Sequence, residues 1–92
     1  MRYLVGYDIT DDRRRDRIAT GLLDFGSRLE ESLFLVYADD ARYEELLTRL
    51  KGLAGDEPLD RIHVIPLCNA CWGKAVTFGQ GELPEEPDYF VL

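Results

Sequence analysis

Asp8 stands five positions ahead of three consecutive arginines, Arg13, Arg14 and Arg15, in the opening stretch MRYLVGYDITDDRRR. A carboxylate can hold a hard divalent cation through oxygen. A guanidinium fork matches two phosphate oxygens at once. A metal ligand next to phosphate-binding cations would suit holding or cutting a nucleic-acid backbone. An Asp after a strand also forms turns and caps helices. Arginines at a helix start are commonly solvated. The elements that carry these residues therefore decide what they can do.

Arg2–Ile9 predicts a strand. Tyr3, Val5, Tyr7 and Ile9 make one large apolar face, suited to packing on helices, and Arg2, Leu4, Gly6 and Asp8 make the other. Gly6 invites close approach by another backbone. Thr10-Asp11-Asp12 supplies a cap and an acidic first turn for a helix running to about Phe25, with Ile18, Ala19, Leu22 and Phe25 as its apolar stripe. Arg14 and Arg15 flank that stripe, and Arg13 and Arg17 point away from it. Gly26 suits the residue just past the helix end.

Leu33–Tyr37, LFLVY, is a continuous apolar run that predicts a strand buried on both sides. Helices can cover one face of a sheet this small, so a second chain is the economical cover for the other. Arg28–Glu30 is either a separate short strand or the start of one kinked strand. Asp39 or Asp40 caps a second helix, in which Tyr43, Leu46, Leu47, Leu50, Leu53 and Ala54 recur at helical spacing until Gly55-Asp56-Glu57-Pro58. Arg61–Leu67 is another strand, with Pro66 marking an edge or a bulge and His63 read as an ordinary half-buried histidine. Cys68–Lys74 is a turn or short helix, and Ala75–Phe78 a brief strand. An acidic tether then leads to the apolar terminus Tyr89–Leu92, YFVL, which gains most by joining a sheet edge. The order is an α+β, ferredoxin-like βαββαβ sandwich: an antiparallel sheet with two helices on one face. Residues 1–78 form the ferredoxin-like domain, and residues 79–92 the tether and terminal strand of that same domain.

Ninety-two residues make one small domain with a thin stability margin. A net charge of -7 argues against a non-specific nucleic-acid coat, so phosphate binding must come from local clusters. No apolar run reaches the ~20 residues of a membrane span, the N-terminus does not read as a signal peptide, and a cytoplasmic location with no membrane partner is expected. Cys68 and Cys71 form one C-x-x-C pair, with His63 the other strong ligand candidate. Structural zinc sites need four ligands, so the pair reads as two reduced, partly buried thiols. The sequence shows no helix signal to support a redox motif there.

Four stretches carry a family resemblance: YDITDDRRR (Tyr7–Arg15), GSRLEESLF (Gly26–Phe34), RIHVIPLCNAC (Arg61–Cys71) and PDYFVL (Pro87–Leu92). In these, and in their order, the chain resembles the CRISPR-associated protein two family, the non-integrase subunit of the CRISPR adaptation complex. The resemblance implies a homodimer with Tyr89, Phe90, Val91 and Leu92 added to the partner's sheet. It implies Asp8 as catalytic residue and metal ligand, the two copies meeting near the two-fold axis around magnesium, with manganese as a substitute. Arg13, Arg14, Arg15 and Arg28 would touch nucleic acid. Family members are described as metal-dependent endonucleases on single-stranded RNA or double-stranded DNA, or as a bridge between integrase subunits and protospacer DNA in spacer acquisition. A toxin-like ferredoxin-fold ribonuclease outside CRISPR adaptation is the alternative. After Gly26 the chain departs from the family's pattern: the usual Gln is Glu30, its neighbour is Glu31, and the usual late Glu is Leu35. Added carboxylates near a nucleic-acid face weaken binding, which favours the bridge over robust cleavage.

Overall fold

A computed structural model describes residues 1–54, 58–79 and 83. The elements run β1 (Arg2–Asp8), α1 (Asp12–Leu23), β2 (Gly26–Glu30), β3 (Leu33–Tyr37), α2 (Asp40–Leu53), β4 (Arg61–Leu67) and a single helical turn, α3 (Asn69–Trp72). The strands form one sheet in the order β2-β3-β1-β4. Every neighbouring pair is antiparallel. This is the ferredoxin-like α+β arrangement that the order of periodic segments predicts.

Alternation along β1 places the core. Tyr3, Val5 and Tyr7 are buried on the helix side, where Phe34 and Val36 of β3 meet Ile18, Ala19 and Leu22 of α1 and Leu46 and Leu50 of α2. Full burial of side chains such as Phe34, Ile18, Leu22 and Leu46 contributes roughly 1.5–3 kcal/mol each. Both long helices start at an aspartate. Asp11 accepts from the Arg14 backbone N–H at 2.9 Å and Asp39 from that of Arg42 at 2.8 Å, contacts worth ~1 kcal/mol each.

Several expectations are revised. β1 ends at Asp8; Ile9 lies beyond the strand yet is only 3% exposed. α1 ends at Leu23, and Asp24, in the right-handed helical region, closes it. Gly26 therefore does not end the helix; it opens β2. Residues 27–37 form a hairpin of two strands, with a bulge between Arg28 and Glu30. β3 is buried on both sides as expected, with Leu35 and Tyr37 on the face away from the long helices. One chain suffices to bury those two side chains, so a second copy is not needed as their cover. Part of that cover is Arg2, whose guanidinium lies 5.7 Å from the Tyr37 ring and 5.4 Å from the Trp72 ring of α3. Among the described residues β4 is an edge strand, which is where Pro66 can sit without a missing ladder bond. Ala75–Phe78 is not a strand: Val76 and Phe78 are 72% and 92% exposed, and three β-favouring residues, Val76, Thr77 and Phe78, hold no strand without a neighbour to pair with, and none stands beside them among the described residues. The expected terminal strand Tyr89–Leu92, most of the tether and the Gly55–Glu57 part of the helix break lie outside the described residues.

Candidate nucleic-acid and metal site

The site grows from the end of β1. Pairing of β1 with β3 stops at Gly6 opposite Leu33. The Tyr7 backbone N–H then donates to the Ser32 carbonyl at 3.1 Å, and the Tyr7 hydroxyl to the Glu31 carbonyl at 3.0 Å. These bonds set the β2–β3 turn beside the strand end. Asp8, the last strand residue, is exposed on the sheet face away from the long helices. Its side chain has no hydrogen bond or ion pair among the described residues. A cleft of about 330 Å³ opens there, lined by Tyr7, Asp8, Ile9, Arg15, Glu31 and Ser32.

The arginines do not form one patch. Arg15 lines the Asp8 cleft; its guanidinium donates to the Ile9 carbonyl at 3.1 Å and to the Asp12 carboxylate. Arg14 turns to Asp60, just ahead of β4, donating from Nε at 3.0 Å and from Nη2 at 2.5 Å to one carboxylate oxygen. Thr10 reaches the other oxygen of Asp60 with its backbone N–H and its hydroxyl, at 3.1 and 3.2 Å. Burial alone would raise the Asp60 pKa, but the Thr10 and Arg14 hydrogen bonds outweigh it and hold the carboxyl below its usual range. This pair ties the start of α1 to the entry of β4. Arg13 is exposed and makes no hydrogen bond or ion pair among the described residues. Arg28 donates to the Glu31 carbonyl at 3.2 and 2.7 Å and lies over the Phe34 ring at 5.4 Å. Its register opposite Phe34, a core residue, puts it on the helix side of the sheet, opposite to Asp8.

Two residues near Asp8 escaped the sequence reading. Register sets Arg61 directly opposite Asp8, and His63 opposite Gly6, on the same face. His63 is exposed, not half-buried as expected, while its neighbours Ile62 and Val64 pack against the core. The alternation of β4 already groups Arg61 with His63, but which strand pairs with β1 is a tertiary fact that no local pattern carries.

Among the described residues, no group of three or more His, Cys, Asp or Glu is arranged to hold a metal ion. One exposed, unpaired carboxylate beside an open cleft still fits magnesium, which binds through one or two carboxylates and keeps several waters. What one chain offers is a hard oxygen donor for a cation and a guanidinium for a phosphate in one cleft, with Glu31 at the same lining opposing that phosphate. No described helix is long and apolar enough to cross a membrane.

The family model described as CRISPR associated protein Cas2 matches residues 1–75. The chain is 38% identical over 93 residues to a CRISPR-associated endoribonuclease Cas2 of Chloroflexus aurantiacus, covering 100% of both chains. It is 36% identical over 90 residues to a CRISPR-associated endonuclease Cas2 of Thermus thermophilus, covering 98% of this chain and 94% of that one. The crystal structure of Streptococcus pyogenes Cas2 superposes with a TM-score of 0.75 at 26% identity, over 86% of this chain and 100% of the other.

Proposed function

The chain belongs to the CRISPR associated protein Cas2 family, and on that premise we propose that it is a CRISPR-associated endonuclease subunit acting as a homodimer in spacer acquisition. The observation that carries this reading is Asp8: exposed, without a partner among the described residues, and sharing a cleft with the Arg15 guanidinium. The relatives named endoribonuclease and endonuclease support phosphodiester cleavage. Asp8 of each copy would hold a magnesium ion at the two-fold axis. Bound there, the ion supplies Lewis-acid stabilisation of charge on the scissile phosphate and a more acidic water. Arg15 orients a phosphate oxygen beside Asp8, and Arg61 stands across the sheet to neutralise the same backbone. Tyr89–Leu92 would pair with the partner's sheet.

The test is cleavage of single-stranded RNA and double-stranded DNA by parent and Asp8→Ala, with magnesium and with chelator. Expected is metal-dependent cleavage that the variant loses by at least ~100-fold while remaining dimeric. Equal cleavage by the variant overturns the mechanism.

A second reading, a bridge that holds DNA and an integrase subunit, is favoured by the arginines themselves. Arg14 is engaged with Asp60 and Arg28 with the turn carbonyl, while Glu31 lines the cleft. That arrangement is weak for driving a phosphate through reaction and adequate for positioning a duplex. Under this reading Asp8→Ala leaves spacer integration intact, whereas deleting residues 82–92 abolishes capture of the integrase subunit.

A further inference from the structure

Cys68 and Cys71 lie at the other end of the sheet. Cys68 follows Leu67, which pairs with Arg2, six residues along β1 from Asp8, so roughly 20 Å separates the cysteines from the candidate site. The C-x-x-C motif follows strand β4, and the sequence gives no helix signal after it. The structure supplies the missing turn: Asn69–Trp72 is helical, with Cys68 as its capping residue. Residues three apart on such a turn face each other, and the two thiols do so. The Cys71 backbone N–H donates to the Cys68 sulfur at 3.4 Å. Both cysteines are free and exposed.

We propose that Cys68 and Cys71 form a reactive dithiol that exchanges with small-molecule disulfides of the glutathione type, Cys68 attacking and Cys71 closing the ring. The Cys68 thiolate attacks one sulfur of the small disulfide, forming a bond to it and expelling one thiolate, which takes up the proton that Cys68 gave up. Cys71, deprotonated in turn, attacks the Cys68 sulfur, forms the intramolecular disulfide and releases the second small thiol. Two protein thiols lose two electrons, and one disulfide becomes two thiols.

The two cysteines are not equivalent, and the geometry says which attacks. Hydrogen bonds from the Cys71 backbone and from its thiol lower the Cys68 pKa, which raises its thiolate fraction. Cys71 donates to that sulfur, and this raises its own pKa. A lowered, exposed thiol with a resolving partner within reach is the arrangement that exchange needs. The rest of the turn is held by β1: Arg2 Nη1 donates to Asn69 Oδ1 at 2.6 Å, and the Arg2 guanidinium lies over Trp72.

The experiment incubates the full chain, Cys68→Ser and Cys71→Ser with oxidised glutathione at neutral pH and follows intact mass. Serine is itself a good helix cap, so the variants keep the turn. The parent is expected to lose two hydrogens and retain no glutathione. Cys71→Ser should trap one glutathione, and Cys68→Ser should react about tenfold more slowly. A parent that accumulates glutathione without closing, a parent that does not react, or single-cysteine variants that react at equal rates would each overturn the proposal.

Discussion

At the scale of single residues, the same side-chain type does different work according to what it meets. Arg14 and Arg15 are neighbours, yet Arg14 clamps Asp60 and Arg15 faces the cleft of Asp8. Arg15→Ala should therefore weaken nucleic-acid binding and reduce the slope of log affinity against log salt by about one, measured by fluorescence anisotropy across a salt series. Arg14→Ala should leave that slope nearly unchanged and lower the melting temperature instead. Asp60 makes the clamp pH-dependent. Its carboxyl is held below the unfolded value, so its contribution to stability is complete above the unfolded carboxylate pKa, about 4, and is lost as pH falls through the lower folded value. Asp60→Asn should be less stable than the parent at neutral pH and lose less further stability on acidification, as read by thermal melts from neutral pH down to strongly acidic buffer.

At the scale of elements, two glycines separate backbone necessity from accident. Gly26 looks like a helix stop in the sequence, but its place is a strand start pressed against β3. A Cβ there would lie 1.9 Å from the Leu35 carbonyl oxygen and 2.7 Å from the Val36 Cα. Backbone cannot yield as a side-chain end can, so Gly26→Ala should cost about 1–3 kcal/mol or more by overpacking, displacing the β2–β3 hairpin. Gly52, exposed within α2, has nothing among the described residues within 4 Å of an added Cβ. Gly52→Ala should stabilise by about 0.5–1 kcal/mol through helix propensity alone. Denaturant titrations of both variants check the pair. Gly6 gives the intermediate case: an added Cβ meets the Leu33 side chain at 3.7 Å, an ordinary contact. Nothing among the described residues requires glycine at that position.

At the scale of the whole molecule, the open sheet face is unevenly covered. Leu35 and Tyr37 are buried, while Ile65, on the same face opposite Leu4, is 52% exposed, and Phe78 beyond α3 is 92% exposed. Exposed large apolar side chains of this kind suit a surface that a second copy covers. Under the proposed homodimer, Ile65→Asp should shift the sedimentation-velocity distribution toward monomer at micromolar concentration; an unshifted distribution would remove this strand from the proposed dimer surface. A net charge of -7 opposes nucleic acid at long range, so binding should fall steeply with salt only if the local arginines dominate, as the Arg15 comparison measures.

Local pattern determined much of this protein. The alternation of β1, the capped apolar stripes of α1 and α2, and the Pro66 edge signal were legible because side-chain period and helix caps are properties of neighbouring residues. The family resemblance placed Asp8 and the arginines in a nucleic-acid context, and the comparisons agree on the family. Only the tertiary structure decided that Arg14 meets Asp60, that Arg61 and His63 stand beside Asp8, and that Gly26 touches β3. Those pairings join residues far apart in the chain, and strand order and register are fixed by which apolar faces must be buried together, a constraint no single segment contains.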